Sequence, residues 1–238
     1  MAESETSFVD RVQKARQLHG FCMGFSPVYA PPPQGITMPA FNAKIGACDS
    51  ANIAVDAANT GWSAAVVERA EVSETIKRTA TQLLNYIKSS TAWNARLPAA
   101  KRFADAIRGV KTSRKAPPPP VPGAAAARER QRGGQSYAEL EKNWRGLTSL
   151  TAGLTGFAPT DAKIQTGTLN GLLSSLASAN QQLPGLEAAL SAAQQARMVA
   201  FFETDKGLAD LFQQVKTSVK GQYGVGSPQW GQVKGVRW

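Results

Sequence analysis

One histidine and two cysteines, His19, Cys22 and Cys48, are all the imidazole and thiol chemistry the chain has. A Ser-His-Asp or Cys-His arrangement would therefore have to centre on His19. No nucleophile elbow, P-loop or GxGxxG occurs in the sequence. Cys22 and Cys48 form neither a CxxC pair nor part of a ligand cluster, so each is expected to be a buried small hydrophobe. Glu68, Glu71 and Glu74 recur at three-residue steps on one helical stretch. A di-metal bundle site needs carboxylates from facing helices together with Glu-x-x-His, a motif the sequence lacks. A solvated acidic face is the expectation. The residues assign no catalytic group, no metal and no cofactor, and the protein is expected not to be an enzyme.

The elements that would position any site come from an internal repeat. Residues 36–90 laid without a gap on residues 164–218 give twelve identities in 55 positions, including Asn52/Asn180, Arg69/Arg197 and Leu83/Leu211. Gly24-Phe25-Ser26-Pro27 reappears as Gly156-Phe157-Ala158-Pro159, and Ile107-Arg108-Gly109-Val110-Lys111 as Val233-Lys234-Gly235-Val236-Arg237. Three matching segments in the same order predict a tandem duplication of one helical unit.

Within each copy the apolar spacing is helical. Phe41, Ile45, Cys48, Asn52 and Val55 step by 4, 3, 4 and 3, and Leu169, Leu173, Leu176, Asn180 and Leu183 repeat those steps. Second stripes run from Val66 to Ile87 and from Met198 to Val219. Turns near Asn59-Thr60-Gly61 and Pro184-Gly185 are expected to fold each copy into a helical hairpin. Amphipathic segments at 8–18 and 137–147 add a leading helix to each. The fold class is all-α, a tandem duplication of a helical-hairpin unit, with the pairs packing as a pseudo-two-fold four-helix bundle carrying additional short helices. Residues 1–111 form the first unit, 112–135 a Pro/Ala/Arg-rich linker, and 136–238 the second unit.

Asn52 and Asn180 interrupt the apolar seam at the same step. A buried amide left unpaired costs about 1–3 kcal/mol, and a polar residue within a helical seam commonly fixes register and partner choice. The pair is read as a core-polar register device, with a ligand contact as the alternative; if the two amides bond each other across the pseudo-two-fold axis, a single replacement should cost more than the double. Arg69 and Arg197, early in the second stripe of each copy, are expected to be solvated surface residues.

The net charge of +10 is uneven: residues 1–111 carry +4, residues 112–135 also +4, and residues 136–238 carry +2. Pro117 to Pro120 cannot continue a helix and favour an extended spacer. Arg114, Lys115, Arg128, Arg130 and Arg132 around them are candidate phosphate contacts, the basis of an alternative reading as a nucleic-acid-binding protein. No apolar run approaches the roughly 20 residues that cross a bilayer. The acidic N-terminus has no secretory pattern, so a cytoplasmic location is expected.

The C-terminal stretch opens with a Gly-rich turn, and Ser227-Pro228 makes a good helix start. Tyr223, Trp230, Arg237 and Trp238 are read as an interaction tail. The pattern Tyr223-Gly224, Ser227-Pro228, Trp230, Val233 resembles the ending of uncharacterised bacterial proteins built from duplicated helical repeats. That family carries no established activity, so the resemblance implies a bacterial source and a helical fold but no site. The function expected is a non-enzymatic structural or interaction protein that self-assembles through its duplicated units, its partner a protein or a second copy of the chain.

Overall fold

The computed structural model describes residues 5–33, 35–110 and 136–238. The linker and its five candidate phosphate contacts, Arg114, Lys115, Arg128, Arg130 and Arg132, lie outside the described residues. Among those described there is no strand, and the fold class is all-α. Seven helices follow in order: α1 (Glu5–Met23), α2 (Met38–Lys88), α3 (Leu97–Arg108), α4 (Tyr137–Ala152), α5 (Thr166–Phe202), α6 (Leu208–Tyr223) and α7 (Pro228–Lys234).

Local chemistry explains three of the boundaries. Ser136 caps α4, its hydroxyl accepting from the Glu139 amide at 3.2 Å. Ser227 does the same for α7 through the Trp230 amide, with Pro228 at the first helical position. Gly109 ends α3 at φ +70°, a left-handed conformation that glycine adopts without steric cost.

The two expected hairpin turns do not form. α2 runs unbroken through Asn59-Thr60-Gly61 for 51 residues. A lone glycine costs only about 1 kcal/mol in a helix interior, and alanines on both sides, such as Ala57, Ala58, Ala64 and Ala65, favour continuation. α5 likewise runs through Pro184-Gly185. The proline ring is exposed, and its penalty of about 3 kcal/mol falls within a 37-residue helix held by buried Leu176 and Leu183 before it and Phe201 after it.

The compact units also differ from the expected 1–111 and 136–238. One unit comprises Met1–Trp62 with Leu186–Trp238, and the other Ser63–Gly185, so each draws on both halves of the sequence. In the first, α1 lies against α6 and α7. Phe8, Val12, Ala15, Leu18 and Cys22 form its buried stripe, packed with Phe41, Ile45 and Cys48 of α2, Phe201 of α5, and Phe212, Val215 and Val219 of α6. Fully burying one such large side chain contributes about 1.5–3 kcal/mol. The exposed Arg16–Asp49 pair between α1 and α2, at 2.6 Å, adds at most about 1 kcal/mol.

In the second unit α3 lies on α4. The absence of a side chain at Gly146 lets the Phe103 ring rest directly against α4. Ile76, Leu83, Leu84 and Ile87 of α2 meet Ala100, Ala104 and Ile107 of α3, Leu140, Trp144 and Leu147 of α4, and Leu169 and Leu176 of α5. No helix among the described residues is long and apolar enough to cross a membrane.

Candidate functional site

The most specific polar arrangement lies in the second unit, where α2, α4 and α5 bring five side chains together. The Arg69 guanidinium sits 3.9 Å from the centre of the Tyr137 ring. Asn180 donates from Nδ2 to Glu141 Oε2 at 2.9 Å and to the Tyr137 carbonyl at 3.4 Å. Arg145 donates to Glu141 Oε1 at 2.8 Å. The Asn180 bond, followed by Arg145, holds the Glu141 carboxyl below its ordinary value against the opposing effect of burial. Sequence reasoning found Arg69 and Asn180 but missed Tyr137 and Glu141. The available signal was their spacing of four at the start of α4, where one face of the helix turns toward α5.

The first unit holds a related but different arrangement. Arg197 is buried, its guanidinium 4.1 Å from the centre of the Phe8 ring. Asn52 is 6% exposed, and neither amide atom has a hydrogen-bond partner among the described residues. No hydrogen bond therefore joins the two asparagines. The expected solvated arginines are corrected: the attraction of a cation to an aromatic face, about 0.5–2 kcal/mol, favours seating both on rings.

These contrasts set opposite signs for two substitutions. Asn52→Leu is expected to stabilise the protein by about 1 kcal/mol, because it removes an unpaired buried amide. Asn180→Leu is expected to destabilise it by about 1–2 kcal/mol, because it strips a donor from Glu141. Denaturant melts of the double variant should give the sum within about 0.5 kcal/mol; a larger coupling would mean that the two positions are linked. Because the folded Glu141 pKa is lowered, its contribution is present above the unfolded value and disappears as pH falls through the folded one. The Asn180→Leu penalty should shrink in acid accordingly.

The expected interaction tail is engaged by its own unit. The Tyr223 hydroxyl donates to the Pro27 carbonyl at 2.7 Å, and its ring meets Phe25 edge-on at 5.3 Å. Gln229 Nε2 donates to the Ser26 carbonyl at 3.0 Å. Trp230 packs half-buried against the core beneath Lys220. Trp238 lies 5.1 Å from the Phe212 ring, with Arg11 over its face at 5.5 Å. Lys216 donates to the Val236 carbonyl at 2.7 Å. Burial, then the charge of Arg237, lowers the Lys216 pKa. Arg237 itself is exposed.

A cleft of about 630 Å³ opens in the same unit between the 29–36 loop and α6, lined by Tyr29, Pro32, Pro33, Asp205, Asp210 and Ser218 among others. The Tyr29 hydroxyl is buried without a well-formed hydrogen bond. Burial raises its pKa, an effect that the neighbouring Ser218 side chain partly offsets. The walls offer carboxylates and hydroxyls to a hydrogen-bond donor.

The thiols lie elsewhere. Cys22 and Cys48 are both buried in the first core, and burial pushes each up to about 11. Cys48 donates weakly to the Ala200 carbonyl at 3.4 Å. Neither should react with a thiol reagent at pH 8 until the protein unfolds, since the thiolate is the reactive form; rapid labelling of the native protein would contradict this packing. His19 is half-buried with its ring 6.5 Å from Phe41. Glu68, Glu71 and Glu74 are exposed, and Glu74 pairs with Lys77 at 2.6 Å. Among the described residues, no three His, Cys, Asp or Glu side chains are grouped to hold a metal ion.

No protein-family model, curated protein or solved structure matches the chain.

Proposed function

We infer that the chain is a non-enzymatic interaction protein of the cytoplasm that binds a protein partner or a second copy of itself. The observation that carries this reading is an exposed apolar stripe at the end of α5. Met198, Val199 and Phe202 stand one, three and four residues apart, so they share one side of the helix. Met198 is 47% exposed, Val199 51% and Phe202 36%. Phe8 meets Phe202 at 6.2 Å, which brings the start of α1 and its exposed Val9 alongside. Arg11 lies over the Phe202 ring at 5.0 Å, adding a cation to the apolar surface. Contiguous apolar surface of this kind marks a contact site more often than isolated exposed residues do, and an aromatic beside an arginine is typical of interface hot spots.

The underlying fold is read as a duplicated helical unit whose two copies pair about a pseudo-two-fold axis. What supports this is the equivalent treatment of the repeated arginines. Arg69 sits on Tyr137 and Arg197 on Phe8, the rings standing at the starts of α4 and α1. In this reading Val12 of α1 takes the place of Glu141 of α4, which accounts for the unpartnered amide of Asn52.

Light scattering across concentration tests the interaction reading. A mass rising above the 25.3 kDa of one chain is expected, and Met198→Glu with Phe202→Glu should abolish the rise while leaving the helical signal intact. A mass fixed at one chain at every concentration, with no partner retained on the immobilised protein, would overturn it.

A further inference from the structure

We propose that the two halves of the sequence, residues 5–110 and 136–238, are each other's binding partners, so that either half can be supplied by a second copy of the chain. This goes beyond the interaction reading: the surfaces are those buried between the halves and not the exposed stripe at the end of α5. The argument starts from where each core gets its residues. Of the buried residues in the first core, eleven come from the first half and seven from the second. In the second core the numbers are nine and seven. Neither half holds a core that it can close alone, and each buries its apolar stripes only against the other.

The exchange is reciprocal. The first half gives α1 and the beginning of α2 to one unit, and the rest of α2 with α3 to the other. The second half gives α4 and the beginning of α5 to the second unit, and the rest of α5 with α6 and α7 to the first. The most specific contacts cross the same divide. Arg69 of the first half seats on Tyr137 of the second, and Phe8 of the first half receives Arg197 of the second. Trp93 donates through Nε1 to the Thr155 carbonyl at 3.1 Å, Gln82 to Asp161, and Tyr223 to the Pro27 carbonyl.

The covalent link between the halves is the stretch 111–135. A chain whose halves bind through surfaces of this kind can satisfy them within itself or by exchange with another copy, the route by which identical elements swap between protomers. Two copies exchanging halves form a closed pair, and further copies extend it. A link of about 25 residues sets only the effective concentration of the internal arrangement.

The test uses the full chain, with a specific protease site inserted between Gly133 and Gly134 and cut after folding. The two fragments should co-elute at the mass of the intact protein at about 1 μM, because each core draws buried residues from both, and keep the full helical signal. Separation of the fragments on gel filtration would overturn the proposal. Isotope-labelled and unlabelled cut protein are then mixed, unfolded in urea and returned to buffer. Native mass spectrometry should show labelled first halves paired with unlabelled second halves in roughly equal number to the matched pairs. Absence of those hybrids would overturn exchange between copies. The outcome is separable from the interaction reading, because an uncut chain that stays monomeric in light scattering removes that reading without touching the pairing of the halves.

Discussion

Gly207→Ala should lower the melting temperature by about 4–16 °C, corresponding to about 2–4 kcal/mol in a chain of this size. Gly207 closes the short connection between α5 and α6 and precedes the first residue of α6. Its φ of −67° is available to any residue, so the requirement for glycine here concerns space. A methyl group at this position would lie 2.7 Å from the Phe201 carbonyl oxygen and 2.8 Å from both the amide nitrogen and the carbonyl oxygen of Glu203. All three are backbone atoms, one in the last turn of α5 and two in the residue that follows it, and they cannot yield without unwinding the turn. Relief would also pull apart the 2.6 Å bond from the Gly207 amide to the Glu203 carbonyl and disturb Phe201, which is fully buried. Thermal melts with Gly221→Ala as a control read the effect, since a side chain at Gly221 meets open space. Equal melting temperatures for the two variants would mean that the connection is not built as described.

Trp144→Ala should cost about 3–5 kcal/mol, the range for truncating a large buried aromatic, and lower the melting temperature by about 6–20 °C. Trp144 is 0% exposed, and its indole donates to the Leu169 carbonyl at 3.2 Å, fastening α4 to the first turn of α5. Trp144→Phe keeps most of the apolar volume and forfeits the hydrogen bond, so about 1–2 kcal/mol is expected. Amide exchange localises the damage. Faster exchange should concentrate in α4 and the beginning of α5, because the unit comprising residues 63–185 loses its largest fully buried side chain. A loss spread evenly over α1, α6 and α7 would contradict the division into two cores.

The helices themselves were legible because periodicity is a local property. The steps from Phe41 to Val55 and from Leu169 to Leu183 predicted stripes whose members are largely buried, with Phe41, Cys48, Val55, Leu169, Leu176 and Leu183 inside the cores. The helix start at Ser227-Pro228 was equally local, since the capping hydrogen bond reaches only three residues ahead. The turns were misread for the same local reason. Gly61 and Pro184 carry a helix-breaking bias of about 1 and 3 kcal/mol, and buried residues along α2 and α5 outweigh it.

The candidate site was half legible. Asn52, Asn180, Arg69 and Arg197 stood out because they recur, and recurrence needs no partner to be seen. Their surroundings depend on which helix faces them. Glu141 gives Asn180 an acceptor, while Asn52 finds no partner among the described residues, and no feature within α2 or α5 distinguishes the two amides. The same holds for the tail, whose aromatics were visible but whose seats at Pro27, Phe25 and Phe212 lie far away in the chain.

By itself, then, the sequence determined an all-α protein with helical stripes and two recurrent asparagine–arginine sets, since spacing, capping and composition act within a few residues. Tertiary structure alone decided that α2 and α5 run unbroken, that each compact unit draws on both halves, and that the repeated arginines lie on rings. The physical reason is that an apolar stripe specifies that it must be buried but not against what. That choice falls to the packing within each unit, and it is made between residues from 25 to 203 positions apart.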